Sequence, residues 1–206
     1  ALVRRQRQMC IRDRYEGVNR ANYMEENKAN IDFEGKEAMY GEVYFLRAYY
    51  YFELVKFFGD VPLFTEARLT AGQAGTLTRT PKDEVYAQIE LDLQNAIASL
   101  PNSQSQVGRV NKYTAYALLG KVLLYQDKFA EAASALDNVI GVYSLVSDYG
   151  SQFLRFGENG PESVFEIQYS NQSNWYDWGC AHCSEGNYAI IMNGPRGWSG
   201  PESVSY

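Results

Sequence analysis

One helix-length segment limits the fold of this chain more than any other feature. Between Tyr40 and Phe58, nine of nineteen residues are aromatic. On a helix with 100° per residue, the segment has a single narrow polar face, made by Glu42, Tyr49, Glu53 and Lys56. A helix that is apolar nearly all round is a buried helix. The pattern therefore predicts a core helix from about Glu34 to Phe58 rather than a ring-lined ligand surface.

Arg47 is the exception inside this segment. It lies among Tyr51, Leu54 and Phe58 on the helical wheel. A guanidinium in apolar surroundings needs an ionic partner or an aromatic ring to stack on. We therefore expect Arg47 to be paired or stacked.

Composition and charge exclude several classes of protein. The 206 residues suffice for one domain or slightly more, and 46% of them are hydrophobic, which indicates a globular chain. The net charge of −6 argues against nucleic-acid binding, because neutralising phosphates needs a basic face. No apolar run reaches about 18 residues, so the sequence predicts no membrane-spanning helix.

The first fourteen residues, ALVRRQRQMCIRDR, differ in character from the rest. They carry five Arg and one Asp, and they lack the apolar stretch of a secretory signal. The stretch resembles translated adaptor sequence, so we predict that residues 1–14 are a non-native scar; the alternative is a basic binding arm. Without these residues the net charge falls from −6 to −10.

Helical patterns fill the next part of the chain. Apolar positions predict a helix within residues 15–30, and Gly59, Asp60 and Pro62 end the aromatic helix. Residues 63–79 read as a loop. A further helix runs from Pro81 to Leu100, with Thr80 as its capping residue. Its predicted core face consists of Val85, Ile89, Leu93, Ala96 or Ile97, and Leu100.

Two shorter helices follow and have the spacing of a tetratricopeptide repeat. Asn111 is the predicted cap of the first, and Gly141 the predicted C-terminal cap of the second. The small residues Gly120 and Ala132 would let the two helices cross closely. The large or characteristic positions of the repeat are Tyr116, Leu119, Leu123 and Leu136. The second helix is predicted to bury Phe129, Ala132 or Ala133, Leu136, and Val139 or Ile140.

The sequence therefore predicts a mainly α fold of helical hairpins over residues 15–146. The remaining residues, 147–206, read as the start of a loop-rich, truncated part with short strands. The one strand-like run is Ser163–Tyr169, where side chains alternate in character. Irregular sequence rich in Gly, Asn, Ser and Trp follows, and such loops are where binding usually occurs.

Several segments in this order resemble the SusD/RagB family. They are YEGVNRANYMEEN, EVYFLRAYYYFELVKFFGDVPLF, TPKDEVYAQIELDLQNAIASLP, GRVNKYTAYALLGKVLLYQDKFAEAASALDNVI, YSLVSDYGSQF and ESVFEIQYS. The resemblance covers most of residues 15–170. It implies a tetratricopeptide-like scaffold that holds a loop-rich ligand-binding part. It also implies a surface-exposed lipoprotein of the bacterial outer membrane, held by a lipid anchor outside this chain, that binds glycans above a SusC-like TonB-dependent transporter.

Aromatic residues in the late loops are the candidate glycan-binding residues. Pyranose rings have apolar C–H faces and hydroxyl rims, which suit an aromatic ring beside amide and charged groups. Rigid aromatic side chains also lose little entropy on binding. The alternative is that these residues pack the loops onto the scaffold, and both interpretations stay open; the family position favours binding for Trp198 and for Trp175 or Tyr176. The candidate set is Trp198, Trp175, Tyr176, Trp178, Asn174 and Arg196.

Signals for a metal site, a cofactor or catalysis are weak. Cys180 and Cys183 flank His182, the only histidine, but no second ligand pair exists and the haem-attachment order is wrong. Loop thiols or one local disulfide explain the pair better. Motifs for a nucleophilic triad or a P-loop are missing too. The sequence therefore predicts a binding protein without a cofactor; the alternative is a tetratricopeptide-type protein-interaction adaptor.

Overall fold

The computed structural model describes residues 2–65, 69, 71–153 and 157–168, with side chains from Ile11 onward. Residues 1–166 form one compact unit, and residues 167–206 form a second. The described part of the chain is mainly helical, as predicted. Its α-helices are α1 Leu2–Glu26, α2 Lys36–Phe58, α3 Ala71–Ala74, α4 Lys82–Ser99, α5 Lys112–Leu124 and α6 Phe129–Leu136. Short 3₁₀ turns span Lys28–Asn30 and Tyr149–Phe153.

Helix α2 is the buried centre of the first unit, which confirms the prediction from its aromatic pattern. Tyr40, Tyr51 and Leu54 are fully buried, and Phe52 is nearly so. Burying a large side chain of this kind stabilises the fold by about 1.5–3 kcal/mol. Only Leu46 and Phe57 of its large apolar residues are exposed. The helix ends at Gly59, whose φ of 66° suits glycine and whose N–H donates to the Val55 carbonyl.

Packing between the helices follows the two predicted hairpins. α2 packs against α1 and α4, and α5 packs against α4 and α6. On α4 the predicted core face is confirmed by the burial of Val85, Ile89, Leu93, Ala96 and Leu100.

Gly120 has the role predicted for it at the α5–α6 crossing. A Cβ at this position would lie 2.6 Å from Leu136 Cγ, so no other residue fits without a shift. Ala132 of α6 is fully buried, as expected at a close crossing. Small side chains at these two positions therefore allow the helices of the second hairpin to approach.

Two predicted helix caps differ from the structure, and one is confirmed. Asn111 Oδ1 accepts from the Thr114 N–H at 2.9 Å, as expected of an N-cap. Thr80 does not cap α4, because its hydroxyl accepts from the Leu63 N–H instead. The Lys82 N–H at the start of α4 donates to Asp60 Oδ1, which is 22 residues earlier in the chain.

The end of α6 is the second correction. The helix stops at Leu136 with Asp137 as its C-cap, and Gly141 lies beyond a further turn. Phe129, which the helical pattern placed in the core, is 63% exposed. Of the alternatives Val139 and Ile140, Val139 is half-buried and Ile140 is 76% exposed. The side chains of Ala132 and Ala135 are the ones that α6 buries.

The predicted strand at Ser163–Tyr169 is not confirmed for its described residues, 163–168, which have irregular backbone. A strand needs a neighbouring strand for its hydrogen bonds. Around residues 163–166, hydrogen bonds join the segment to side chains and to the backbone of a turn instead. Thr114 Oγ1 donates to the Val164 carbonyl, and Glu166 Oε1 accepts from the Asn159 N–H.

Candidate functional site

The residues predicted to bind glycan lie outside the described residues. This holds for Asn174, Trp175, Tyr176, Trp178, Arg196 and Trp198, and equally for Cys180, His182 and Cys183. Their roles stay predictions. The described residues show the scaffold on which the chain continues towards them, and they also form one groove on the scaffold surface.

Residues 161–166 are fixed on the face that α2 and α5 share. The Phe165 ring meets Phe45 of α2 edge-on at 5.7 Å between centroids. Thr114 of α5 donates to the Val164 carbonyl at 3.1 Å. Glu162 accepts from the Val146 N–H, and the Pro161 carbonyl accepts from the Ser144 N–H. The segment 161–166 is thus attached to both α2 and α5.

A buried ion pair joins α2 to α4. Arg47 donates from Nε and Nη2 to the two carboxylate oxygens of Asp92, at 2.8 and 2.7 Å. Its Nη1 donates to Asn22 of α1 and to the Thr65 carbonyl. Burial raises the pKa of Asp92, and the hydrogen bonds from Arg47 offset that effect. This confirms that Arg47 is paired, and the guanidinium holds three segments of the scaffold together rather than facing a ligand.

The pattern around Arg47 alone does not identify Asp92 as its partner. The signal was present, because Asp92 lies three residues after Ile89 on the predicted core face of α4. The acidic residue at a core position of α4 is complementary to the basic residue at a core position of α2. Reading the two helices together would have identified the pair.

The buried Tyr51 and the half-buried Tyr15 fix the segment that follows α2. Tyr51 donates to the Phe64 carbonyl at 2.7 Å and accepts from the Phe64 N–H at 3.0 Å. Tyr15 of α1 donates to the Pro62 carbonyl at 2.8 Å. Burial raises the pKa of both tyrosines above the usual value of a phenol. The segment is irregular, so its backbone groups cannot bond one another as they would in a helix. The tyrosine hydroxyls bond them instead.

One groove opens between α4 and α6 over a floor made by α5. We call it the α4–α6 groove, and its volume is about 570 Å³. Tyr116, Leu119 and Leu123 form the floor, with Ala130 and Ala135 of α6 beside them. Its polar lining comes from both walls and the adjoining turns: Glu90, Gln94, Lys128, Glu131, Ser134 and Asn138.

Glu90 is held in place at one end of the α4–α6 groove. Its Oε1 accepts from Lys128 Nζ at 2.6 Å and from Gln126 Nε2 at 2.7 Å. At the other wall, Asn138 Nδ2 donates to the Ser134 carbonyl at 2.9 Å. These polar groups are therefore oriented before any ligand binds.

The described part of the chain contains neither a candidate membrane-spanning helix nor a candidate metal site. None of its helices is both long enough and apolar enough to cross a bilayer. Within the same residues, no three His, Cys, Asp or Glu side chains come together in a way that could hold a metal ion.

The described residues form two helical hairpins, and the irregular segment 161–166 packs on α2 and α5. This architecture defines the chain as a helical scaffold. Comparison with known proteins gives the family. A profile described as "Starch-binding associating with outer membrane" matches residues 8–124. The chain belongs to this SusD-like family, which confirms the resemblance in its sequence.

Individual relatives agree with this assignment. SusD-like protein P2 of Formosa agariphila is 37% identical over 116 residues, which are 56% of this chain and 22% of that protein. A solved structure described as a laminarin binding SusD-like protein has 35% identity and a TM-score of 0.75, covering 81% of this chain and 38% of that one. Surface glycan-binding protein A from Bacteroides uniformis has 25% identity and a TM-score of 0.67, covering 76% and 37%. The chain thus spans well under half the length of these relatives.

Proposed function

We propose that the full-length protein carrying this chain is a cell-surface glycan-binding protein that delivers oligosaccharides to a SusC-like TonB-dependent transporter. The observation that carries the proposal is membership in a family described as starch-binding and outer-membrane-associated. Two solved relatives with the same scaffold are described as laminarin binding and surface glycan-binding. Membership and scaffold together support carbohydrate as the class of ligand.

In the proposed mechanism, the helical scaffold supports the binding site and the later loop residues contact the glycan. Residues 15–166 supply a rigid helical support, to which the Phe45–Phe165 contact and the Thr114 hydrogen bond attach the chain before the loops. The loop residues Trp175, Tyr176, Trp178 and Trp198 stack on sugar rings, while Asn174 and Arg196 bond hydroxyl groups. The protein binds and releases the glycan without cleaving it, so it is not an enzyme.

The proposed location is the cell surface, with a lipid anchor in the outer membrane. The family description supports association with this membrane. Co-purification of the tagged full-length protein with an adjacent SusC-like transporter from detergent-solubilised outer membranes tests the partnership. Finding the protein in the periplasmic fraction, without the transporter, contradicts both location and partner.

Isothermal titration of the full-length protein against laminarin- and starch-derived oligosaccharides tests the ligand class. Saturable binding is expected, and Trp198→Ala or Trp175→Ala should weaken it at least about fivefold, since a stacked aromatic anchor contributes upward of about 1 kcal/mol. Tyr149→Ala is the matched control, because Tyr149 is an exposed aromatic residue of the scaffold. A folded protein that binds no oligosaccharide of the panel refutes the proposal, and newly formed reducing ends would reveal an enzyme instead.

The adaptor alternative receives less support from the scaffold. An adaptor of this type needs a free face on its paired helices for a peptide. Here Phe165 packs against Phe45 of α2, and the Val164 carbonyl bonds Thr114 of α5, so the chain itself occupies these sides of the two helices. The described residues leave the α4–α6 groove open, and its polar lining suits a sugar. Carbohydrate binding is therefore the function that the structure and the family support best.

A further inference from the structure

We propose that the α4–α6 groove is a second carbohydrate site, for a short uncharged oligosaccharide, on the helical scaffold. The class of ligand rests on the proposed function. The described residues that line the groove all lie between Glu90 and Asn138.

The size of the α4–α6 groove suits a small ligand. Its volume of about 570 Å³ lies within the range of about 300–1,000 Å³ that is usual for small-molecule sites. The groove exists because α4 and α6 both pack on α5 but not on each other. Its width is therefore set by the α5 helix that separates its walls.

Hydrogen-bonding groups on both walls fit the hydroxyl rim of a sugar. α4 contributes Glu90 and Gln94, and α6 with its following turn contributes Ser134 and Asn138. Planar carboxylate and amide groups can each bond two neighbouring hydroxyls. Tyr116, which is half-buried in the floor, offers an aromatic ring for a C–H face.

Fixed orientation makes these groups more effective for binding. Lys128 and Gln126 hold Glu90 by hydrogen bonds, and Asn138 is held by the Ser134 carbonyl. A group that is already ordered loses little entropy when a ligand binds. Glu90 and Asn138 therefore do not have to be ordered by the ligand.

Charge favours a neutral ligand over an acidic one. Lys128 neutralises Glu90, so the exposed Glu131 leaves the lining with one net negative charge. The whole chain also carries a net charge of −6. Uronic-acid or sulfated glycans would be repelled, whereas an uncharged glycan would not.

Burial of the floor favours a sugar over an apolar peptide side chain. Leu123 and Ala135 are only 5% and 7% exposed, and Tyr116 and Leu119 are half-buried, so covering the floor removes a limited apolar surface from water. The gain from burial scales with that surface, at about 25 cal/mol per Å². Affinity must come mainly from hydrogen bonds, which a sugar supplies more densely than an apolar side chain.

Methyl NMR of the full-length protein tests the site. Laminaritriose is the neutral probe, a galacturonic-acid trisaccharide is the acidic probe, and a leucine–lysine hexapeptide represents peptide ligands. We expect laminaritriose alone to shift the Leu119, Leu123 and Ala135 methyl signals saturably. Gln94→Ala combined with Asn138→Ala should raise the apparent Kd at the groove at least about tenfold. Asn95→Ala is the matched control, because Asn95 is exposed on α4 but does not line the groove.

The outcomes separate this inference from the proposed function. Groove shifts that persist in a Trp175→Ala, Trp198→Ala double variant support an independent second site. Laminaritriose binding by calorimetry without groove shifts overturns the second site and leaves the proposed function standing. Shifts caused by the hexapeptide but not by the trisaccharide overturn the sugar assignment in favour of a peptide. The absence of groove shifts with every probe overturns the inference as well.

Discussion

At the scale of single residues, the scaffold depends on a few buried polar groups. Arg47 bonds Asp92, Asn22 and the Thr65 carbonyl, so one side chain connects α4, α1 and the segment after α2. Each of these partners is buried or backbone. Removing any one of these groups leaves its partners buried without hydrogen bonds. That penalty exceeds the free energy that the ion pair itself contributes to folding.

Breaking the Arg47–Asp92 pair should therefore be strongly destabilising. Asp92→Leu or Arg47→Met alone is expected to lower the free energy of unfolding by roughly 3–5 kcal/mol, since each leaves an unpaired buried charge. The double variant should lose less than either single variant. Urea denaturation followed by circular dichroism measures the three values, and simple additivity of the two single losses would contradict this account.

Because two tyrosines have raised pKa values, the protein is expected to lose stability at alkaline pH. Burial raises the folded-state pKa of Tyr15 and Tyr51 above the unfolded value of 10.0. Above about pH 10 the unfolded chain releases protons that the folded chain retains, so stability that is fully present below this pH is lost as pH rises. Each such group contributes about 1.4 kcal/mol per pH unit in that range.

Variants at the two tyrosines can check this pH dependence. Tyr51→Phe should make the decline in unfolding free energy between pH 10 and 11.5 shallower, although it also removes a hydrogen bond at every pH. Tyr149→Phe is the control, because Tyr149 is 73% exposed. Equal slopes for wild type, Tyr51→Phe and the control would show that the buried phenol is not responsible.

At the scale of helices, side-chain size at the crossings determines the packing. Gly17 faces the Tyr50 ring, where a Cβ would lie 2.2 Å from Cε2. Gly120 faces Leu136 in the same way at the α5–α6 crossing. At both sites the missing side chain lets a large residue of the neighbouring helix lie against the backbone.

Gly120→Ala should consequently destabilise the second hairpin. The clash with Leu136 is expected to cost roughly 1–3 kcal/mol, partly offset by the gain of about 1 kcal/mol in helix propensity. Combining it with Leu136→Ala should recover part of the loss relative to the sum of the single changes. Thermal unfolding measures the series, with Gly72→Ala as control, because nothing lies within 4 Å of a Cβ there. If the Gly120→Ala protein were as stable as wild type, α5 and α6 could move apart at the crossing without cost.

At the scale of the whole unit, residues 161–166 close the helical scaffold. Phe165 packs into the main core beside Phe45, and Glu162 and Pro161 bond the segment that follows α6. The helical hairpins and the late irregular segment are therefore one cooperative structure. The loops that carry the predicted glycan residues continue from this segment.

Loosening this closure should be visible in hydrogen exchange. Phe165→Ala is expected to cost roughly 1–3 kcal/mol, since the ring is only partly buried. The Ser144 and Val146 amides, which donate to Pro161 and Glu162, should lose protection first, while the Leu93 amide in the middle of α4 should keep it. Equal loss of protection at all three amides would show global unfolding instead of local release.

Helix positions were predictable because each depends on a local pattern. The buried faces of α2 and α4 and the Asn111 cap follow from residues within one or two turns, and the close approach at Gly120 follows from the repeat spacing of one helical hairpin. Thr80 does not cap α4 because its hydroxyl bonds the Leu63 N–H, and Asp60, 22 residues before Lys82, accepts from the α4 N-terminus instead. The α4–α6 groove could not be predicted either, since its two walls lie on helices separated by α5.

The sequence alone determined the mainly helical class, the buried aromatic helix, the need for a partner to Arg47 and the family. The first three rest on periodicity and on charge at an apolar position, which are local properties of a chain. The family rests on the resemblance of several segments in order. Only the tertiary structure decided that the partner of Arg47 is Asp92, that residues 163–168 form no strand and the Val164 carbonyl bonds Thr114 instead, and that α4 and α6 leave a groove. Contacts between distant segments depend on how helices are placed in space, and periodicity within one segment carries no information about that placement.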